Sequence, residues 1–111
     1  MSFAGAKLIW MNGQMIPWEK ATVHVMAHAL HYGSSVFEGI RVYKTPDGLR
    51  GFRLTDHMQR LFDSAAIYRM PIPYPRDELI QVCKDVVLAN GLTNGAYIRP
   101  IALRGYGDVG L

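Results

Sequence analysis

Residues 24–43 read HVMAHALHYGSSVFEGIRVY, and the hydrophobic period changes half-way along them. From Val36 to Tyr43 the residues alternate: Val36, Ile40 and Val42 fall on one face, and Phe37, Gly39, Arg41 and Tyr43 on the other. This period of two predicts a strand running on to Lys44. Glu38 lands on the apolar face, so it must find a partner if that face is buried. Upstream, His24, His28 and His31 stand at spacings of four and three and are followed by Gly33, which suits a short helical turn ending in a glycine cap. Tyr32, Gly33, Ser34 and Ser35 form the corner between turn and strand, where binding residues are commonly presented.

Working outward, Leu8–Met11 and Gln14–Pro17 flank Asn12-Gly13, a dipeptide that supplies the positive φ angles of a tight hairpin turn. Thr45-Pro46-Asp47-Gly48 joins the central strand to Leu49–Arg53 as a second hairpin. Thr55 is placed to cap a helix running to about Arg69, with Met58, Leu61, Phe62, Ala65 and Tyr68 on one face. Pro71, Pro73 and Pro75 separate it from a second helix over 76–90. That helix starts with Asp77 and Glu78, buries Leu79, Cys83, Val86 and Val87, and has Gly91 at its C-terminal cap. A last strand covers Ala96–Leu103. Hairpins first, then helices, then a returning strand indicate an α/β protein of the α+β two-layer sandwich kind: an antiparallel or mixed sheet with helices on one side.

The 111 residues amount to one domain by length, and half are apolar. The net charge of +3 comes from eight arginines and four lysines scattered singly, a pattern that suits small anionic groups and not a nucleic-acid track. The N-terminal MSFAGAKLIWMNG has no apolar signal core, and no apolar run is long enough to span a membrane, so a cytoplasmic location is expected. Cys83, the single cysteine, excludes an internal disulfide and any multi-cysteine metal site. Its helical setting reads as core packing.

Three further features bear on chemistry. Alternation in the last strand sets Tyr97, Arg99, Ile101 and Leu103 on one face, so a phenol and a guanidinium point toward the same small ligand. Pro100 between them removes a ladder donor and places the strand at an edge or bulge, near an opening. Arg60 lies beside the apolar stripe of its helix, one turn after His57, and from pattern alone is an exposed helix arginine with some capacity for anion binding. The match Gly105-x-Gly107-x-x-Gly110 follows a strand but has no helix or acidic residue after it, so it reads as the start of a linker. The histidines at 24, 28 and 31 could offer imidazoles to zinc. With no carboxylate in that segment to fix their tautomers, they read better as hydrogen-bonding residues, and no metal is expected.

His31-Tyr32-Gly33-Ser34-Ser35-Val36-Phe37-Glu38-Gly39-Ile40-Arg41, His57-x-x-Arg60-Leu61, Ala96-Tyr97-Ile98-Arg99-Pro100 and Gly107-Asp108-Val109-Gly110 occur here in one order. Together they resemble the N-terminal half of a branched-chain amino-acid aminotransferase of the fold-type IV pyridoxal-phosphate class. D-amino-acid aminotransferases and aminodeoxychorismate lyases are similar but match less well at these positions, and a non-catalytic metal-binding or assembly module is the rival from another class. The resemblance implies a small domain over 1–104 and the start of an interdomain linker over 105–111. The Schiff-base lysine would lie in a larger domain beyond, since Lys7, Lys20, Lys44 and Lys84 match no catalytic position and this chain alone would be inactive.

The resemblance also implies transfer of the amino group of leucine, isoleucine or valine to 2-oxoglutarate, in branched-chain amino-acid biosynthesis, with pyridoxal 5'-phosphate as cofactor. Arg60 would hold the cofactor phosphate. Phe37 and Tyr32 would wall the side-chain pocket, with Tyr32 reaching the partner subunit's site. Tyr97 would approach the substrate carboxylate, and Arg99 the distal carboxylate of glutamate. The loop reaching Leu111 would close over the other subunit's pocket, so a homodimer, or a hexamer built from dimers, is implied.

Overall fold

The computed structural model describes residues 6–106. Strands β1 (Leu8–Met11) and β2 (Gln14–Pro17) form the first hairpin as expected, in the register Trp10↔Met15 and Met11↔Gln14. Asn12 and Gly13 turn it at φ 52° and 95°, the left-handed conformation that this dipeptide tolerates. A 3-10 turn, Trp18–Lys20, follows. The hairpin is tied down from a distance. The Asn90 side chain accepts the backbone N–H groups of Lys7 and Leu8 at 2.7 and 2.9 Å and donates to the Leu8 carbonyl at 3.0 Å, while Trp10 packs edge-on against Tyr74.

The short helix α1 (His28–Tyr32) ends at Gly33, whose φ of 69° is the expected glycine cap; His24 lies before the helix and not in it. The long central strand does not exist as one piece. It divides into β3 (Ser35–Phe37) and β4 (Ile40–Thr45), which belong to different sheets. The last strand divides at the same level into β6 (Gly95–Ile98) and β7 (Ile101–Leu103). β3 pairs with β7, whereas β4 pairs with β6 on one side and with β5 (Gly48–Gly51) on the other. The two interruptions, Glu38-Gly39 and Arg99-Pro100, face one another across a bond from the Glu38 N–H to the Pro100 carbonyl, 3.1 Å. Proline has no N–H to return, so the ladder between these segments is interrupted there. The described residues therefore have the expected antiparallel pairing with helices of an α/β fold, divided among three small sheets.

Helix α2 (Leu54–Ile67) begins before Thr55, which is a first-turn residue and not its cap. Arg53 holds the N-cap position at φ 53°, with its Nε bonded to Asp56 at 2.8 Å. The helix stops short of Arg69. The Met70 N–H reaches back to the Ala65 carbonyl, with Arg69 left-handed at φ 54°, the Schellman closure. Arg104 donates to the freed Tyr68 carbonyl at 2.8 Å. Helix α3 (Arg76–Ala89) packs against α2 and β1, while α2 packs against β3.

Val36, Met58, Leu61, Ala65, Met70, Leu79 and Cys83 form the core that these contacts enclose. Tyr68, expected on the buried face, is exposed because it lies in the turn that ends α2; Val86 is only half-buried. Cys83 is buried as expected, and burial pushes its thiol up to about 11, which keeps it protonated and unreactive.

Candidate functional site

Alternation at the end of β3 sends successive side chains to opposite faces. Glu38, 6% exposed, has its carboxylate under α2, where His57 and Arg60 stand one turn apart on the same face. The His57 Nδ1 lies 2.8 Å from Glu38 Oε1. Arg60 grips the same carboxylate with two bonds, Nε to Oε2 and Nη2 to Oε1, each 2.8 Å. The Arg60 hydrogen bond, reinforced by His57 and opposed by burial, holds the Glu38 carboxyl below its ordinary value, so it is charged at neutral pH. Glu38 in turn raises the pKa of Arg60. The requirement read from the strand pattern, a partner for a buried carboxylate, is met by two residues. Strand alternation does not say which two, although the His57-x-x-Arg60 spacing on a helix is the signal that could have found them.

Phe37, the residue before Glu38, points outward and is exposed. The Arg99 guanidinium lies over its ring, 4.4 Å from the centroid, and Arg99 Nη2 donates to the Tyr97 hydroxyl at 2.6 Å. Alternation places Tyr97 and Arg99 on one face, and they are in direct contact. Ile101, paired with Phe37 across the β3–β7 ladder, and Leu103 extend the same surface, and both are exposed. Gly39 is a site residue to which the strand pattern assigns no role. A Cβ built there would run into the hydroxyl and ring of Tyr97, so any larger residue obliges that phenol to move. The result is an exposed aromatic surface that holds the Arg99 cation against a ring; the Arg60 side chain, held by Glu38, is 69% exposed.

Tyr32 lies apart from this group. Its ring, at the end of α1, rests on His28 at 4.5 Å and is 76% exposed. Leu111, the remaining expected site residue, lies outside the described residues, as does the Gly107–Gly110 motif. The three histidines go separate ways: His24 Nδ1 accepts the Met26 N–H, His28 Nδ1 meets the Ser34 hydroxyl at 2.7 Å, and His31 Nε2 meets the Val25 carbonyl at 3.0 Å. Among the described residues no group of three His, Cys, Asp or Glu side chains converges to hold a metal. Nor is any described helix long and apolar enough to cross a membrane.

Comparison with known proteins gives one consistent answer. The family described as Amino-transferase class IV matches residues 35–110. The branched-chain-amino-acid aminotransferase of Escherichia coli (strain K12) is 55% identical over 111 residues, all of this chain and 35% of that protein. The crystal structure of the E. coli enzyme superposes with a TM-score of 0.88 at 56% identity, over 91% of this chain and 33% of that one. The T.th. branched-chain amino acid aminotransferase complexed with N-(5'-phosphopyridoxyl)-L-glutamate does so with a TM-score of 0.88 at 50% identity, over 92% and 34%. The chain thus spans about a third of the length of the relatives it matches.

Proposed function

The chain belongs to the class IV aminotransferases, and from that premise we propose that it is the N-terminal domain of an enzyme exchanging the amino group of leucine, isoleucine or valine with 2-oxoglutarate. Residues 1–104 form its small domain and 105–111 begin the linker to the domain that carries the reactive lysine. The relatives named above support the substrate class, and the complex with a phosphopyridoxyl-glutamate supports pyridoxal 5'-phosphate as cofactor. The residues present fit that group: Arg60 has one edge of its guanidinium on Glu38 and the rest of an exposed side chain free for a phosphate. When bound, the cofactor supplies the electron sink for the bond broken at the α-carbon.

This chain's own residues select and orient. Phe37 offers an aromatic face to a branched side chain. The Tyr97 hydroxyl, within reach of the Arg99 guanidinium, is placed to hydrogen-bond a carboxylate. Tyr32, exposed on α1, is assigned to the pocket of a partner subunit in a homodimer, and the cytoplasm is the proposed compartment.

The observation that carries the reading is the position of Arg99, lying over Phe37 and bonded to Tyr97. A pocket that takes leucine and glutamate in turn must accept an apolar group and a carboxylate in one place. A cation stored on an aromatic ring serves both, since it can stay there for the first and swing to the second. Arg99→Met keeps the length and removes the charge. In the complete enzyme, kcat/KM for glutamate is expected to fall at least about tenfold, as for a lost charged hydrogen bond, while leucine changes much less. Equal losses for both substrates would assign Arg99 to the shared α-carboxylate or to the fold.

A further inference from the structure

We propose that Glu38 is a positioning residue that aims Arg60 at the phosphate, and this rests on the reading of Arg60 given above. A guanidinium is a planar fork with two bidentate edges on its Nη groups and Nε. Glu38 occupies the Nε/Nη2 edge through both of its oxygens, at 2.8 and 2.8 Å. One Nη1 hydrogen and the outer Nη2 hydrogen form the second edge, which remains open. Fixing the first edge therefore fixes the direction of the second, because the group is rigid and flat.

Arg60 needs such a guide. It stands on α2 with 69% of its side chain exposed, and a long side chain in water otherwise spreads over many rotamers. Glu38 is suited to guide it because it is itself immobile. It is 6% exposed, its Oε1 is held by His57 at 2.8 Å, and its backbone N–H is held by the Pro100 carbonyl at 3.1 Å. A negative charge beside an anion site weakens the field of the arginine, so the gain lies in orientation and not in charge. Packing does not call for a carboxylate here, since the neighbouring inward positions Val36 and Ile40 are aliphatic. A buried, fully engaged carboxylate at this one position is explained by what it does to Arg60.

The test is the dissociation constant of pyridoxal phosphate, measured by titrating the complete apoenzyme and following cofactor absorbance, with each variant's melting temperature as a folding control. Glu38→Gln is expected to raise the constant about tenfold with Arg60 present and to leave it unchanged in an Arg60→Ala background, the signature of two residues acting as a unit. Glu38→Asp keeps the charge on a shorter stem and should raise it less. It gives the same comparison if the glutamine variant does not fold. A substitution at Glu38 that weakens binding equally in both backgrounds acts through the fold and overturns the inference. A wild-type constant in both Glu38 variants, alongside a weakened Arg60→Ala, would mean that Arg60 needs no guide, again overturning it while the phosphate reading stands. An unchanged constant in Arg60→Ala would instead remove the phosphate reading, and the inference with it.

Discussion

Gly39 shows how one missing side chain sets the place of its neighbour Tyr97. The atom that a Cβ would strike is the tip of Tyr97, which accepts a hydrogen bond from the Arg99 guanidinium at 2.6 Å. In Gly39→Ala the phenol must move and that bond is displaced, while the buried neighbour Ile40 stays where it is. The expected outcome in the complete enzyme is a loss of kcat/KM for glutamate of roughly tenfold, the scale of one displaced charged hydrogen bond, with little change in melting temperature. A large thermal destabilisation with substrate preference intact would show that Gly39 serves the backbone and not the pocket.

At the scale of elements, the ends of α2 carry more strain than its middle. Arg53 before it and Arg69 after it both have positive φ, 53° and 54°, a conformation that costs an L-residue and suits glycine. The closure at Arg69 is made by backbone groups, the Met70 N–H on the Ala65 carbonyl at 2.9 Å, and it draws Met70 into the core at 7% exposure. An Arg69→Gly substitution keeps that bond and removes the left-handed penalty. Glycine also loses more freedom on folding, so the net gain is about 0.5 to 1 kcal/mol. Chemical denaturation should show a midpoint shifted upward with an unchanged slope. A lower midpoint would mean that the exposed arginine side chain contributes more than its backbone costs.

For the molecule as a whole, the placement of its amines separates binding from chemistry. Lys7, Lys20, Lys44 and Lys84 are all exposed, and none lies in the Glu38, His57 and Arg60 group. Mixing the 111-residue chain with pyridoxal phosphate and reducing with borohydride is therefore expected to spread label thinly over several lysines. Stoichiometric labelling of one of them, read by peptide mass, would place the reactive amine in this domain and contradict the division of labour proposed for it.

What the sequence determined by itself is what neighbours along the chain decide: the Asn12-Gly13 hairpin, the glycine cap at Gly33, the extents of α2 and α3 to within two or three residues, and the shared face of Tyr97 and Arg99. Backbone dihedrals and side-chain period are local quantities, and local residues set them. The resemblance singled out Arg60 and Phe37 as candidates, but not the company they keep. Only the tertiary structure decided that the central strand breaks at Glu38. Alternation alone runs straight through that position, and the break lies opposite Arg99-Pro100, a segment far along the chain that has no N–H at the proline to return. It likewise decided that β3 and β4 join different sheets, because pairing is a contact between segments far apart in sequence, fixed by which faces can be buried together.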